Sequence, residues 1–300
     1  MVVVAVGAEI GFWRGDAQPG TVPAVEADRA DGAAGSATPV ARLTPRQSSG
    51  RPGSPAYDPA MLQQVGAKAY SIYRTKAWRA AGDAKQQVLA LKPRSDAGDG
   101  LATYEIELAV RDCRNLISGE PEASWQAMRR AGMRTDPDFL SKLEVRLGEC
   151  VALSQDPTLY EAPWLARAAE QGSVEAQLLY AIDVRTAVGA SSASELAERE
   201  EDVLAWRETS LRYLHALADG GNVEALSGLQ SVHENGYRTA KDPVAANAYR
   251  QVLQRVSPSF WSDALLAQSR QALSPSQQRR AAEQAEAIYR RCCVLPGGGD

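Results

Sequence analysis

Two stretches decide the fold: Trp164-Leu-Ala-Arg-Ala-Ala-Glu-Gln-Gly172-Ser-Val-Glu-Ala176 and Tyr213-Leu-His-Ala-Leu-Ala-Asp-Gly-Gly221-Asn-Val-Glu-Ala225. Each position of the first meets its counterpart in the second at a constant offset of 49 residues. An aromatic opens each, Ala169 matches Ala218, and Gly-x-Val-Glu-Ala closes both. Apolar residues three and four apart (Leu165, Ala168, Ala169; Leu214, Leu217, Ala218) predict a helix ending at the glycine, where a left-handed backbone costs nothing. The next helix starts within two residues. Small alanines on both sides let the pair approach closely, so the unit is an αα-hairpin that must stack on a neighbour to bury its apolar face.

Working outward, helix starts are marked by a capping residue followed by proline at Asp58-Pro59, Glu120-Pro121, Asp136-Pro137, Asp156-Pro157, Asp242-Pro243, Ser257-Pro258 and Ser274-Pro275. An acidic or hydroxyl side chain accepts from first-turn N–H groups, and proline at the first helical position gives up a donor that would be orphaned anyway. Seven such marks predict many medium helices with short connections. No strand is expected after residue 57. The block Asp58 to Lys92 reads as helical, with Met61, Val65, Ala69, Ile72 and Trp78 near one face, and a loop is expected from Pro93 to Gly100.

Composition agrees with an all-α fold: the 300 residues are 44% hydrophobic, rich in alanine, with only three phenylalanines. Lys and Arg total 33 against 37 Asp and Glu, for a net charge of -4, and no basic stretch is large enough to follow a phosphate backbone, so nucleic acid is not expected as a partner. Arg279, Arg280, Arg290 and Arg291 share their segment with Glu283 and Glu286 and read as a solvated helix face.

Residues 1–14 form an apolar stub, too short to span a bilayer and without the basic start of a secretory signal. Residues 15–56, rich in Gly, Pro, Ala and Ser, read as a disordered linker. A helical part at 57–155, a repeat region at 156–293 and a flexible tail at 294–300 follow. An apolar stub, a tether and a folded body are the order of a membrane-anchored extracytoplasmic protein, with the stub a truncated anchor or signal; the alternative is a cytoplasmic protein.

Cys113 lies in the apolar run Leu101 to Ile117 and Cys150 in Phe139 to Leu153. Two helices joined by a short connection pack antiparallel, so these thiols are expected to pair; the alternative is two buried free cysteines. Cys292 and Cys293, as sequence neighbours, are expected not to bond each other but to stay free or to cross-link two chains. No C-x-x-C occurs, and neither His215 nor His233 is spaced to share a zinc with a cysteine.

The residues at 164–249 resemble the Sel-one-like repeat, a relative of the tetratricopeptide repeat. Ala168-Ala169-Glu170-Gln171-Gly172 with Ala176-Gln177 matches the family's closing string. Ala225, Leu229, Gly236, Asp242, Ala246 and Tyr249 fall at its spacing, and Tyr213 to Tyr249 spans one 36-residue unit. Gln230, His233, Arg238 and Thr239 depart from the pattern, and the unit opened by Trp164 carries extra residues in Val188 to Glu200. The resemblance implies αα-hairpins stacked as a short right-handed solenoid with helical flanks, and a role as a protein-binding adaptor, in bacteria often at the envelope. It implies a groove holding a partner protein or peptide, with Tyr180, Val184, His233 and Tyr237 as lining.

No phosphate loop, nucleophile elbow or metalloprotease pair is present, and no catalytic residue, cofactor or metal is expected. His233, beside Glu234, reads as a packed histidine. Glu198 to Asp202 reads as a solvated face because consecutive helical carboxylates diverge, and Trp125, Trp206 and Trp261 read as core plugs. Two rival readings are an envelope enzyme using Glu105, Glu107 and Asp112, and a homodimer linked through Cys292 or Cys293.

Overall fold

The computed structural model describes residues 56–74, 79–190, 192–258 and 263–293. The apolar stub, nearly all of the linker, the tail at 294–300, Trp78 and Trp261 lie outside these residues. The described residues hold fourteen α-helices and one two-stranded hairpin, so the fold is helical with a single strand pair.

That hairpin corrects the expectation of helix across Asp58 to Lys92. Asp58 caps only a 3-10 turn, Pro59–Met61, accepting from the Ala60 N–H at 3.0 Å. β1 (Leu62–Val65) and β2 (Ala69–Ile72) then pair antiparallel, with Leu62 opposite Ile72 and Val65 opposite Ala69. Val65, Tyr70, Ile72 and Tyr73 favour extended backbone, and Gly66 turns the chain at φ +65, so local preference and turn chemistry prevail over the three-four spacing. The same close approach explains why residue 66 has no side chain: a Cβ there would lie 2.3 Å from the Val256 carbonyl oxygen.

Helix begins at α1 (Ala84–Asp96), capped by Asp83, and Pro93 lies inside its last turn, so the expected break shrinks to residues 97–99. Asp99 caps α2 (Gly100–Ser118) through the N–H groups of Leu101 and Ala102. There follow α3 (Pro121–Arg130), α4 (Phe139–Ser154), α5 (Pro157–Tyr160), α6 (Trp164–Glu170), α7 (Val174–Ile182), α8 (Val184–Val188), α9 (Ala193–Glu198), α10 (Glu200–Asp219), α11 (Val223–Asn235), α12 (Pro243–Val256), α13 (Asp263–Gln271) and α14 (Pro275–Arg291). Helices open at Pro121, Pro157, Pro243 and Pro275 as the cap–proline marks predict, and Ser274 forms a capping box with Gln277. Two marks do not. α4 starts at Phe139, because Asp136 accepts from the Asp138 N–H instead, and Ser257 closes α12 by donating its N–H to Leu253.

Helices pack in succession: α1 on α2, α2 on α6, α6 on α7, α7 on α10, α10 on α11, α11 on α12 and α12 on α14. Residues 119–138, containing α3, separate α2 from α4, so the short connection expected between the two cysteine helices is not found. Cys113 and Cys150 are nonetheless bonded, with Cα atoms 5.5 Å apart, amid Val88, Ile106, Val110, Leu153 and Trp164. Arg79, almost wholly buried, ties α2 to α4 by pairing with Asp112 at 3.1 Å and Glu149 at 2.6 Å. Cys292 and Cys293 are bonded to each other, contrary to expectation, and each is 1% exposed, which removes the cross-linked dimer. α14 ends at Arg291, and Cys292 and Cys293, the latter in the left-handed region at φ +72, belong to the core shared by α11, α12 and the hairpin.

Candidate functional site

The two matching stretches form corners of the same design. Gly172 (φ +89) and Gly221 (φ +86) end α6 and α10. Ser173 and Asn222 then cap α7 and α11, accepting from Ala176 and Ala225 at 3.3 and 2.8 Å. The following valines are buried, and Glu175 and Glu224 stand in the first turn, where the helix N-terminus favours negative charge. Trp164 and Tyr213 both face the preceding helices but differ in depth. Trp164 opens a seven-residue helix, buried with its Nε1 donating to Leu159 O at 2.6 Å, whereas Tyr213 is half-buried inside the twenty-residue α10.

Both corners hold the same piece of chain, the arm 56–74. Ala56 donates its N–H to Gly172 O and accepts from the Val174 N–H, each at 3.0 Å, while Tyr70 donates to Gly221 O at 2.9 Å. These are parallel strand-like bridges at positions 49 residues apart, Ala56 with Ser173 and Tyr70 with Asn222. The equivalent glutamates hold the arm's side chains: Arg74 forks onto Glu175 at 2.8 and 2.7 Å, and Ser71 donates to Glu224. The turn at Gly66 rests on the end of α12.

Burial pushes the Glu224 carboxyl up from its ordinary value of 4.5, against the hydrogen bonds from Ser71 and Asn222. With its folded pKa above the unfolded one, the ionised carboxylate disfavours folding at neutral pH. As pH falls through the folded pKa toward 4.5, the folded state takes up the proton first and that penalty is relieved. Glu224→Gln removes the charge but leaves one carbonyl oxygen for the two donors Ser71 and Asn222, so the variant's stability relative to the parent is expected to be most favourable near neutrality and to fall as pH approaches 4.5. Urea unfolding across that range checks this; a gap that does not change with pH contradicts it.

Of the predicted lining residues, Tyr180 is half-buried edge-to-face on Tyr213, with centroids 5.5 Å apart, and burial pushes its hydroxyl up to about 12. Its carbonyl accepts from Trp206 Nε1 at 2.8 Å. Val184 is half-buried at the start of α8, and Tyr237 is 71% exposed. His233 instead stacks on Tyr249 of α12 at 5.8 Å, and burial lowers its pKa. Two residues absent from the predicted lining join α7 to the loop after α11. Arg238 lies over the Trp206 ring at 4.9 Å and donates Nη2 to Ala181 O. The departure of Arg238 from the repeat pattern was its signal; Trp206, buried as a core plug, gave none.

Glu105, Glu107 and Asp112 do not converge. Glu105 is exposed, and Asp112 pairs with Arg79 and Arg146. Glu107 is buried against Arg111, which also bridges to Asp183 at 2.8 Å; burial pushes the Glu107 carboxyl up. Among the described residues no group of His, Cys, Asp and Glu is arranged to hold a metal, and no helix is long and apolar enough to cross a membrane. An open groove of about 500 Å³ lies between α2, α3 and α4, lined by Leu116, Ile117, Leu143 and Leu147 with Glu120 and Glu122. No protein-family model matches this chain, and no curated protein or solved structure is significantly similar to it.

Proposed function

We propose that the protein is a non-catalytic adaptor of the Sel-one-like repeat type, a short right-handed solenoid of αα-hairpins that binds a partner protein or peptide. The observation that carries this reading is the pair of corners, 49 residues apart, each gripping an extended segment of polypeptide by backbone bonds and a first-turn glutamate. Edge recognition of extended chain is a general means of protein binding, because main-chain bonds give affinity and side-chain contacts give choice. Successive packing of α6, α7, α10, α11 and α12 supports the stacked arrangement. The apolar stub and tether at 1–56 support attachment to the inner membrane of a bacterium, with the helical body in the periplasm.

Affinity capture with the full chain from bacterial envelope extract, followed by gel filtration of the reconstituted pair, tests the reading. A partner recovered at a fixed ratio is expected. Failure to recover one, together with loss of biological activity on Glu105→Gln, contradicts it in favour of an enzyme working through the carboxylates of 57–155.

A further inference from the structure

The arginines that lie half-buried or deeper in this fold are mostly matched to carboxylates: Arg74 to Glu175, Arg79 to Asp112 and Glu149, Arg111 to Glu107 and Asp183. Arg238 is not. Among the described residues its guanidinium has the Ala181 carbonyl and the Trp206 face, and no carboxylate. Among the described residues its Nε is shut off from solvent without a partner, and Nη1 has no hydrogen bond and is not closed off. Burial lowers its pKa with no neighbouring charge to offset the shift. A desolvated guanidinium over an indole with no carboxylate partner is a group whose charge is best satisfied by a carboxylate from outside.

Its flanks are equally unsatisfied. Tyr237, next in the chain, is 71% exposed, and Ile182, next to Ala181, is 69% exposed; no other large apolar side chains among the described residues are as open. The hydrogen bond from Arg238 to Ala181 sets the guanidinium against the end of α7, so that one exposed apolar residue, Tyr237, precedes the arginine in the chain and the other, Ile182, follows the residue it binds. Buried-edge Arg, Trp and Tyr clusters of this kind dominate the energetics of protein interfaces.

We propose that Arg238, over the Trp206 ring where the exposed residues Tyr237 and Ile182 adjoin it and its Ala181 partner in the chain, receives an acidic side chain of a partner polypeptide whose adjacent residue is apolar. The inference rests on the adaptor reading above and names the residue chemistry that reading requires of its partner. The aspartate or glutamate docks on the free edge of the guanidinium, and the apolar neighbour covers Tyr237 and Ile182.

A phage-displayed library of random dodecapeptides, panned on the full chain, supplies the probe, and fluorescence anisotropy of the selected peptides measures affinity. Selected sequences are expected to carry Asp or Glu beside an apolar residue. Arg238→Gln is expected to weaken them at least about tenfold, about 1.4 kcal/mol. Changing the peptide's acid to its amide should erase the difference between parent and Arg238→Gln. Tyr237→Ala and Ile182→Ser, both at open surface, should weaken binding with unchanged melting temperature, which keeps the test decisive even if Arg238→Gln loosens the fold. Peptides that lack an acid, or that bind Arg238→Gln as tightly as the parent, overturn this inference and leave the adaptor reading standing. A library that yields no binder overturns both.

Discussion

Replacing Cys113 and Cys150 together by alanine is expected to lower the unfolding free energy by about 4 kcal/mol, the chain-entropy value for a loop of this size. The two residues are 37 apart, and the loop they close contains α3 and most of α4. The effect is not spread evenly. Cys150 and Leu153 are the fully buried side chains of α4, while Leu140, Val145 and Val151 are exposed, so apolar burial alone holds this helix weakly. The Arg79 pairs with Asp112 and Glu149 remain, but the arginine must stay buried for them to hold. Urea unfolding should show a lower midpoint, with a slope equal to or steeper than the parent's because the released loop lets the unfolded chain expand. A midpoint that does not move contradicts the assignment of α4 to the packed body through this bond.

The second large effect separates the two corners. At Gly172, with φ +89, an added Cβ meets nothing within 4 Å, so Gly172→Ala carries only the left-handed backbone cost, about 1–2 kcal/mol. At Gly221, with φ +86, the same Cβ would lie 2.8 Å from both the Lys68 carbonyl oxygen and Cys293 Cα. Those are backbone atoms, which cannot rotate away. Crowding is therefore added to the backbone cost, and Gly221→Ala should lose about 2–5 kcal/mol. Equal losses at the two sites would mean that the arm and the chain after α14 do not close over the second corner.

How much of this was legible in the sequence depended on whether the signal was local. The corners were legible because every part of them, the terminating glycine, the cap, the buried valine and the first-turn glutamate, sits within a few residues. Helix starts at Pro121, Pro243 and Pro275 were legible for the same reason. The hairpin at 62–72 was legible only in part: Met61, Val65, Ala69 and Ile72 also fit a helical face, and the local signals against it, the β-preferring Tyr70, Ile72 and Tyr73 and a turn at Gly66, had to outweigh that spacing. The bond between Cys292 and Cys293 was not legible: these two neighbours are buried in a core built by other helices, with Cys293 in the left-handed region. Of the candidate surface, Tyr180 and Tyr237 were named from the repeat, but the group that joins their elements, Arg238 on Trp206, arises from a contact across 32 residues and showed in the sequence only as a departure from the pattern.

The central claim is that both repeated corners hold an extended stretch of chain, and residue-resolved amide hydrogen exchange on the parent and on Gly221→Ala tests it most directly. In the parent, the amides of Ala56, Val174 and Tyr70 should be protected like those of the adjoining helices, because each donates to a carbonyl across a corner. In Gly221→Ala, Tyr70 should lose protection while Ala56 and Val174 keep theirs. Exchange of Ala56 and Tyr70 at open-loop rates in the parent, with α6, α7, α10 and α11 still protected, would contradict the claim.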